Sequence, residues 1–187
     1  MEITESNLRF SFDEAHWRTI QYDAEKGFYR EKMLKSVPGT EAVDFIGIFQ
    51  NRELVLFEVK NFRGYRIQNA PRLANGAEEL TLEIARKVRD TMAGVMGGSR
   101  NDDREGEFWK NTASLLTNPK REIFIIAWVE ENVPASLSIE EKKRIKTVRI
   151  SKLKQKLHWL TPRVSFQNVG SNSLSFEGLT CQFIAGS

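Results

Sequence analysis

Residues 42–60 read AVDFIGIFQNRELVLFEVK. Two apolar runs, Ala42 to Phe49 and Glu53 to Val59, flank the polar Gln50-Asn51-Arg52. Runs of this length around a short polar break predict a β-hairpin whose strands are buried on both faces. Asn51 or a neighbour suits the left-handed turn position. Each strand nevertheless carries ionisable groups, Asp44 in the first and Glu58 and Lys60 in the second. Charges in buried strands are costly unless they are paired or hold a metal.

Register decides whether those groups meet. With Gln50 to Arg52 as a three-residue loop, position i pairs with 102 minus i, which sets Asp44 opposite Glu58, Phe45 opposite Phe57 and Ile46 opposite Leu56. A two-residue loop sets Asp44 opposite Val59 and sends the two acids to opposite faces. The first register gives every apolar side chain an apolar partner and is the one expected. Glu58 and Lys60, two apart in a strand, leave the same face about 6–7 Å apart. Asp44, Glu58 and Lys60 would then converge. Two carboxylates and a main-chain carbonyl, that of Val59, make a hard oxygen site suited to Mg²⁺ or Mn²⁺. The neighbouring ammonium can orient a metal-bound water and offset charge building on phosphorus. In outline this is a site for phosphodiester hydrolysis.

Asp44, followed 14 residues later by Glu58-Val59-Lys60 on a hairpin and then by a long helix, resembles the PD-(D/E)XK, or restriction-endonuclease-like, nuclease superfamily. The resemblance implies a mixed sheet with helices on both faces, Asp44 and Glu58 as metal ligands and Lys60 as the catalytic lysine. Glu-x-Lys also occurs at 140–142 and 141–143, but only Glu58 to Lys60 lies in an apolar strand with an acid on the strand before it. Val43 stands where the motif has proline. More narrowly, AVDFI (42–46), FEVKNFRGYR (57–66), ARKVRDT (85–91) and LKQKLHWL (153–160) resemble a group of small bacterial proteins of uncharacterised function, over about residues 8–166. That group brings a fold and no substrate.

The same resemblance implies DNA rather than RNA as substrate, and a homodimer or larger complex as a working form. It also implies one more acid from an early helix, Asp23 in preference to Glu14 or Glu31, and a basic residue, Lys87, reaching the scissile phosphate from the helix after the hairpin. The competing reading of Lys87 is a simple surface pair with Glu83 four residues earlier. The competing reading of Asp44, Glu58 and Lys60 is an ion-paired cluster left by a nuclease ancestor, in a module that binds nucleic acid or protein without cleaving.

Outward from the hairpin, Ala77, Leu80, Ile84, Val88, Met92 and Val95 recur every three or four residues and predict an amphipathic helix over Gly76 to Met96, stopped by Gly97-Gly98. Glu25 to Leu34, Asp102 to Leu116 and Ile139 to Leu160 have helical composition. Phe10 to Phe12, Trp17 to Tyr22, Glu122 to Val129, Arg163 to Gln167 and Leu179 to Ile184 read as strands. One α/β domain over 1–187, with a mixed sheet of about four to six strands, accommodates them.

The 187 residues carry 28 Lys and Arg against 25 Asp and Glu, a net +3. Residues 1–60 contribute −3, 61–131 contribute 0 and 132–187 contribute +6, so charge is polarised along the chain. Lys142 to Lys156 holds eight cations and no acid. Lys142, Lys143, Arg144 and Lys146 are candidates to track a nucleic-acid backbone, unless the segment is only a solvated helix face. Arg63, Tyr65 and Arg66 follow Lys60 and could meet phosphates or stack on a base. Trp109, Trp128 and Trp159 lie in apolar patterns and read as core.

Other chemistries lack their residues. A single cysteine, Cys181, and two distant histidines, His16 and His158, make no zinc set or disulfide, and no Gly-x-Ser-x-Gly or phosphate-binding Gly loop occurs. The longest apolar run, Ile123 to Val129, is too short to span a bilayer, and the acidic N-terminus lacks a signal-peptide pattern. A cytoplasmic protein without a membrane partner is expected.

Overall fold

The computed structural model describes residues 1–64, 68–102, 104–134, 136–170 and 176–184. The hairpin forms in the expected register. Strand β4 (Phe45–Phe49) pairs antiparallel with β5 (Glu53–Asn61), Phe45 facing Phe57, Ile46 facing Leu56 and Ile48 facing Leu54. Gln50 and Asn51 both take left-handed backbone conformations, φ 48° and 53°, and the Arg52 N–H donates to the Phe49 carbonyl at 2.9 Å. Two consecutive residues at positive φ give the turn a twist that matches the flanking strands.

The hairpin is the middle of a five-stranded sheet in which β3 (Trp17–Gln21) lies outside β4, and β6 (Glu122–Glu130) and β7 (Val164–Gln167) follow β5. Strands β3, β4 and β5 are antiparallel neighbours, whereas β5, β6 and β7 run parallel. Parallel neighbours need crossovers. Helices α2 (Ala70–Asn101) and α3 (Gly106–Thr117) supply the first, and α4 (Ile139–Leu157) the second. Each parallel strand therefore delivers its carboxyl end to one common edge of the sheet.

Alternation along the strands feeds two cores. Ile46, Leu56, Ile125 and Ala127 pack under Leu80, Ile84 and Val88 of α2, Trp109 of α3 and Leu153 and Leu157 of α4. Phe45, Phe57, Ile126 and Trp128 face the other way, onto Ile3, Phe10, Phe12 and Leu179. Those last four belong to a second, three-stranded antiparallel sheet of β1 (Glu2–Glu5), β2 (Leu8–Phe12) and β8 (Leu179–Phe183), ordered β1-β2-β8. The α/β class and the mixed sheet are as expected, but the expectation of helices on both faces is corrected. The three long helices share one face, and aromatic side chains of a small sheet cover the other. Strand β1 escapes sequence reading because one side chain, Ile3, is fully buried in four residues, too few to show a period.

Helix α2 outruns its expected end. Gly94, Gly97 and Gly98 lie inside it, where a Cβ would come 1.8 Å from the Tyr22 hydroxyl, 3.2 Å from Phe28 and 2.8 Å from the Trp109 ring. The glycines let large aromatics press against the helix backbone and do not stop it. The early helix begins later than expected, as a π-helical turn over Tyr29–Met33 continuing into α1 (Leu34–Ser36). Trp109 and Trp128 are core, as expected, but Trp159 lies past the end of α4 and is 55% exposed. Among the described residues no helix is long and apolar enough to cross a membrane.

Candidate active site

The three residues singled out on the hairpin meet at the carboxyl end of β5. Asp44 immediately precedes β4 and is buried; its Oδ2 accepts the Val59 N–H at 2.5 Å, and its carbonyl accepts the Tyr22 N–H at 2.8 Å. The Val59 peptide thus contacts Asp44 through its N–H. Glu58 is 1% exposed, and its Oε1 receives two ammonium groups, Lys60 Nζ and Lys87 Nζ, each at 2.7 Å. Its Oε2 is buried with no hydrogen-bond partner.

Helix α2 supplies the roof. Lys87 does not pair with Glu83 along the helix but reaches down to Glu58, while Glu83 Oε1 meets Lys60 Nζ at 3.1 Å. Glu83 Oε2 holds Arg72, whose guanidinium lies 5.1 Å from the centre of the Phe62 ring. One chain of alternating charge runs Lys87, Glu58, Lys60, Glu83, Arg72. The four-residue spacing of Glu83 and Lys87 put both on one face of the helix, and the buried charge of Glu58 below drew them apart.

A second group of acids opens beside Asp44. One carboxylate oxygen each from Glu5, Asp23 and Asp44 lies within 4.8 Å of the others. Asp23 follows β3, where the Tyr22 bond to Asp44 fixes it, and its Oδ1 is buried without a partner. Of the acids considered for this place, Glu14 instead pairs with the N-terminal amine at 3.0 Å and Glu31 with Arg104 at 3.0 Å. Glu5 is the residue that sequence reading missed. It ends β1, and the β1–β2 turn is held at the site by Asn61 Nδ2, which donates to the Ser6 carbonyl at 2.8 Å. The Ser6-Asn7 turn pair was the available signal: both residues take positive φ.

Electrostatics follow from this crowding. Burial first, and then the Glu58 carboxylate, push the Asp44 carboxyl up to about 8, against the pull of Lys87, the Val59 N–H and Lys60. Burial also raises Glu58, opposed by its two lysines, and raises Asp23 together with the charge of Glu5. For Lys60, burial works against its charge, but Glu58, Glu83 and Asp44 outweigh it and hold the ammonium above its ordinary value. Several carboxylates that resist ionising together, next to buried oxygens without partners, form a set of hard donors that a divalent cation would satisfy. The residues present fit Mg²⁺ or Mn²⁺.

The expected nucleic-acid contacts are placed less closely. Arg63 lies at the end of β5 but packs over Phe183 of β8, 4.3 Å from the ring centre. Tyr65 and Arg66 lie outside the described residues. Lys142, Lys143, Arg144 and Lys146 are exposed on the first turns of α4, which start at the carboxyl end of β6. They share the sheet edge with Glu58 and Lys60, since β6 is the strand beside β5. No protein-family model matches the chain, and no curated protein or solved structure matches it either.

Proposed function

We propose that the chain is a metal-dependent phosphodiester hydrolase, a nuclease acting on DNA. The observation that carries this reading is the meeting of Asp44, Glu58 and Lys60 on one hairpin, roofed by Lys87, beside the further carboxylates of Asp23 and Glu5. Asp44 and Glu58, joined by Asp23, Glu5 and the Val59 carbonyl, would hold Mg²⁺ or Mn²⁺. A cation held there would supply Lewis acidity to a phosphate oxygen and lower the pKa of water. Lys60 and Lys87 present two ammonium groups at the site, one to orient that water and one to face the charge that grows on the non-bridging oxygens. Glu83 gives the Lys60 ammonium a second anchor at 3.1 Å beside Glu58.

A second reading has one observation in its favour. Two ammonium groups already neutralise Glu58, the arrangement expected of a binding module whose site no longer takes metal. Incubation of DNA and RNA with the protein in Mg²⁺ or Mn²⁺ separates the two. Cleavage abolished by Asp44→Ala and by Lys60→Ala is the expected result. Cleavage that survives both substitutions excludes this site, and binding without cleavage in any metal supports the module.

A further inference from the structure

Beside the first turns of α4 lies a cavity of about 320 Å³ whose apolar wall is Val129, Val133, Ile139, Ile145 and Phe166. Ile139 is 66% exposed and Val133 41%, side chains that a folded monomer gains nothing by presenting to water. The polar lining is Lys142, Lys143 and Lys146, none of them in an ion pair among the described residues, together with Gln167, Asn168 and the mutually paired Glu131 and Arg149. By contrast, the later cations of the same helix have structural partners. Arg149 is clamped to Glu131 by both terminal nitrogens, and Lys152 and Lys156 both hold Glu78, at 2.8 and 2.6 Å.

The rim lysines repel one another, since Lys142 and Lys146 are four apart and Lys143 and Lys146 three, spacings at which like charges destabilise a helix. They also follow the positive end of the helix dipole. Their arrangement opposes the stability of α4, so an anionic partner is the natural source of compensation. That partner must bring apolar surface together with its charge, because the cations border an apolar hollow. Duplex DNA keeps its bases stacked inside and would leave the hollow open, whereas an unpaired nucleotide offers a phosphate and a flat base face at once.

We propose that this groove binds unpaired nucleotides of a single-stranded nucleic acid, with phosphates on Lys142, Lys143 and Lys146 and a base against Ile139 and Val133. The groove sits over the carboxyl ends of β6 and β7, one and two strands from β5, whose carboxyl end carries Glu58 and Lys60; Val129 of the groove wall is the register partner of Lys60. A strand held there is led along the sheet edge toward the carboxylates. That presenting role rests on the nuclease reading; the binding itself does not.

The test is fluorescence anisotropy on the full chain in chelator, so that cleavage plays no part, with a labelled oligothymidylate, an oligouridylate of the same length and a blunt duplex. Single strands should bind about tenfold tighter than the duplex, and Ile139→Asp should remove that preference. The triple substitution Lys142→Ala, Lys143→Ala and Lys146→Ala should flatten the slope of log affinity against log salt by about 2. Ile139 is exposed and Asp there is compatible with folding, which a melting curve checks. Duplex binding equal to or tighter than single strands, or unchanged single-strand affinity in Ile139→Asp, overturns the proposal. So does binding to none of the three, which leaves an acidic protein partner. Single-strand binding without hydrolysis sinks only the nuclease reading, and hydrolysis without groove-dependent binding sinks only this one.

Discussion

At the scale of single residues, Glu58 is the centre of the charge network, and each of its two lysines partly covers for the other. Lys60→Met or Lys87→Met alone leaves one ammonium 2.7 Å from Glu58 Oε1 and should cost about 1–3 kcal/mol. The double variant leaves a carboxylate with no cation, and its cost should exceed the sum of the singles. Urea unfolding of the four proteins checks this; simple additivity would mean that Glu58 is solvated or protonated already. Asp44 gives the pH dependence. Its folded-state pKa of about 8 stands above an unfolded value of about 3.9, so between the two the folded state holds more protons. The stability that its proton confers is present below about pH 4 and is lost as pH rises toward 8. In metal-free protein, Asp44→Asn should therefore gain stability relative to wild type between pH 5 and pH 8, and a loss over that range would show that Asp44 is ionised in the fold. The hairpin residues were legible in sequence because a charge in an apolar strand is conspicuous. Glu5 was not, because an acid at the end of a short polar strand looks like any surface acid until the chain folds back.

Among the elements, α2 shows how a correct period can still mislead. Its apolar stripe was legible, but Gly97-Gly98 carried the composition of a helix stop while serving as contact points for Phe28 and Trp109. Propensity alone gives Gly98→Ala a gain of up to about 1 kcal/mol in a helix interior. The structure predicts the reverse, a loss of about 1–3 kcal/mol, because the new methyl would sit 2.8 Å from the Trp109 ring. Gly94→Ala should be at least as harmful, its methyl falling on the Tyr22 hydroxyl. Thermal unfolding decides between the two accounts, and stabilisation by either substitution would show that propensity outweighs the aromatic contacts. The consequence reaches the site, since Tyr22 and Asp23 are adjacent and the Tyr22 N–H holds Asp44. Close packing of α2 on Tyr22 fixes the acid cluster as well as the core.

At the scale of the whole molecule, the acids come from separate parts of the chain: Glu5 from the small sheet, Asp23 and Asp44 from the edge and middle of the large one. That β4 pairs with β5 could be reasoned from period and turn chemistry; which layer covers the far face could not, because the small sheet joins the first and last strands across a separation no local pattern encodes. A cation held between Glu5 and Asp44 would bind the folded arrangement alone and tie one sheet to the other. Such a ligand at a free concentration a hundred times its dissociation constant should raise the unfolding free energy by about 2.7 kcal/mol. Manganese titrated during urea unfolding should show that rise in the wild type, and Glu5→Gln should weaken it without lowering the metal-free stability, since the half-buried Glu5 carboxylate has Ser6 as its one hydrogen-bond partner among the described residues and its charge opposes that of Asp23. Equal stabilisation of wild type and Glu5→Gln would confine any metal to Asp23, Asp44 and Glu58 on the large sheet. The small sheet would then serve to bury Phe45 and Phe57 and contribute nothing to the chemistry.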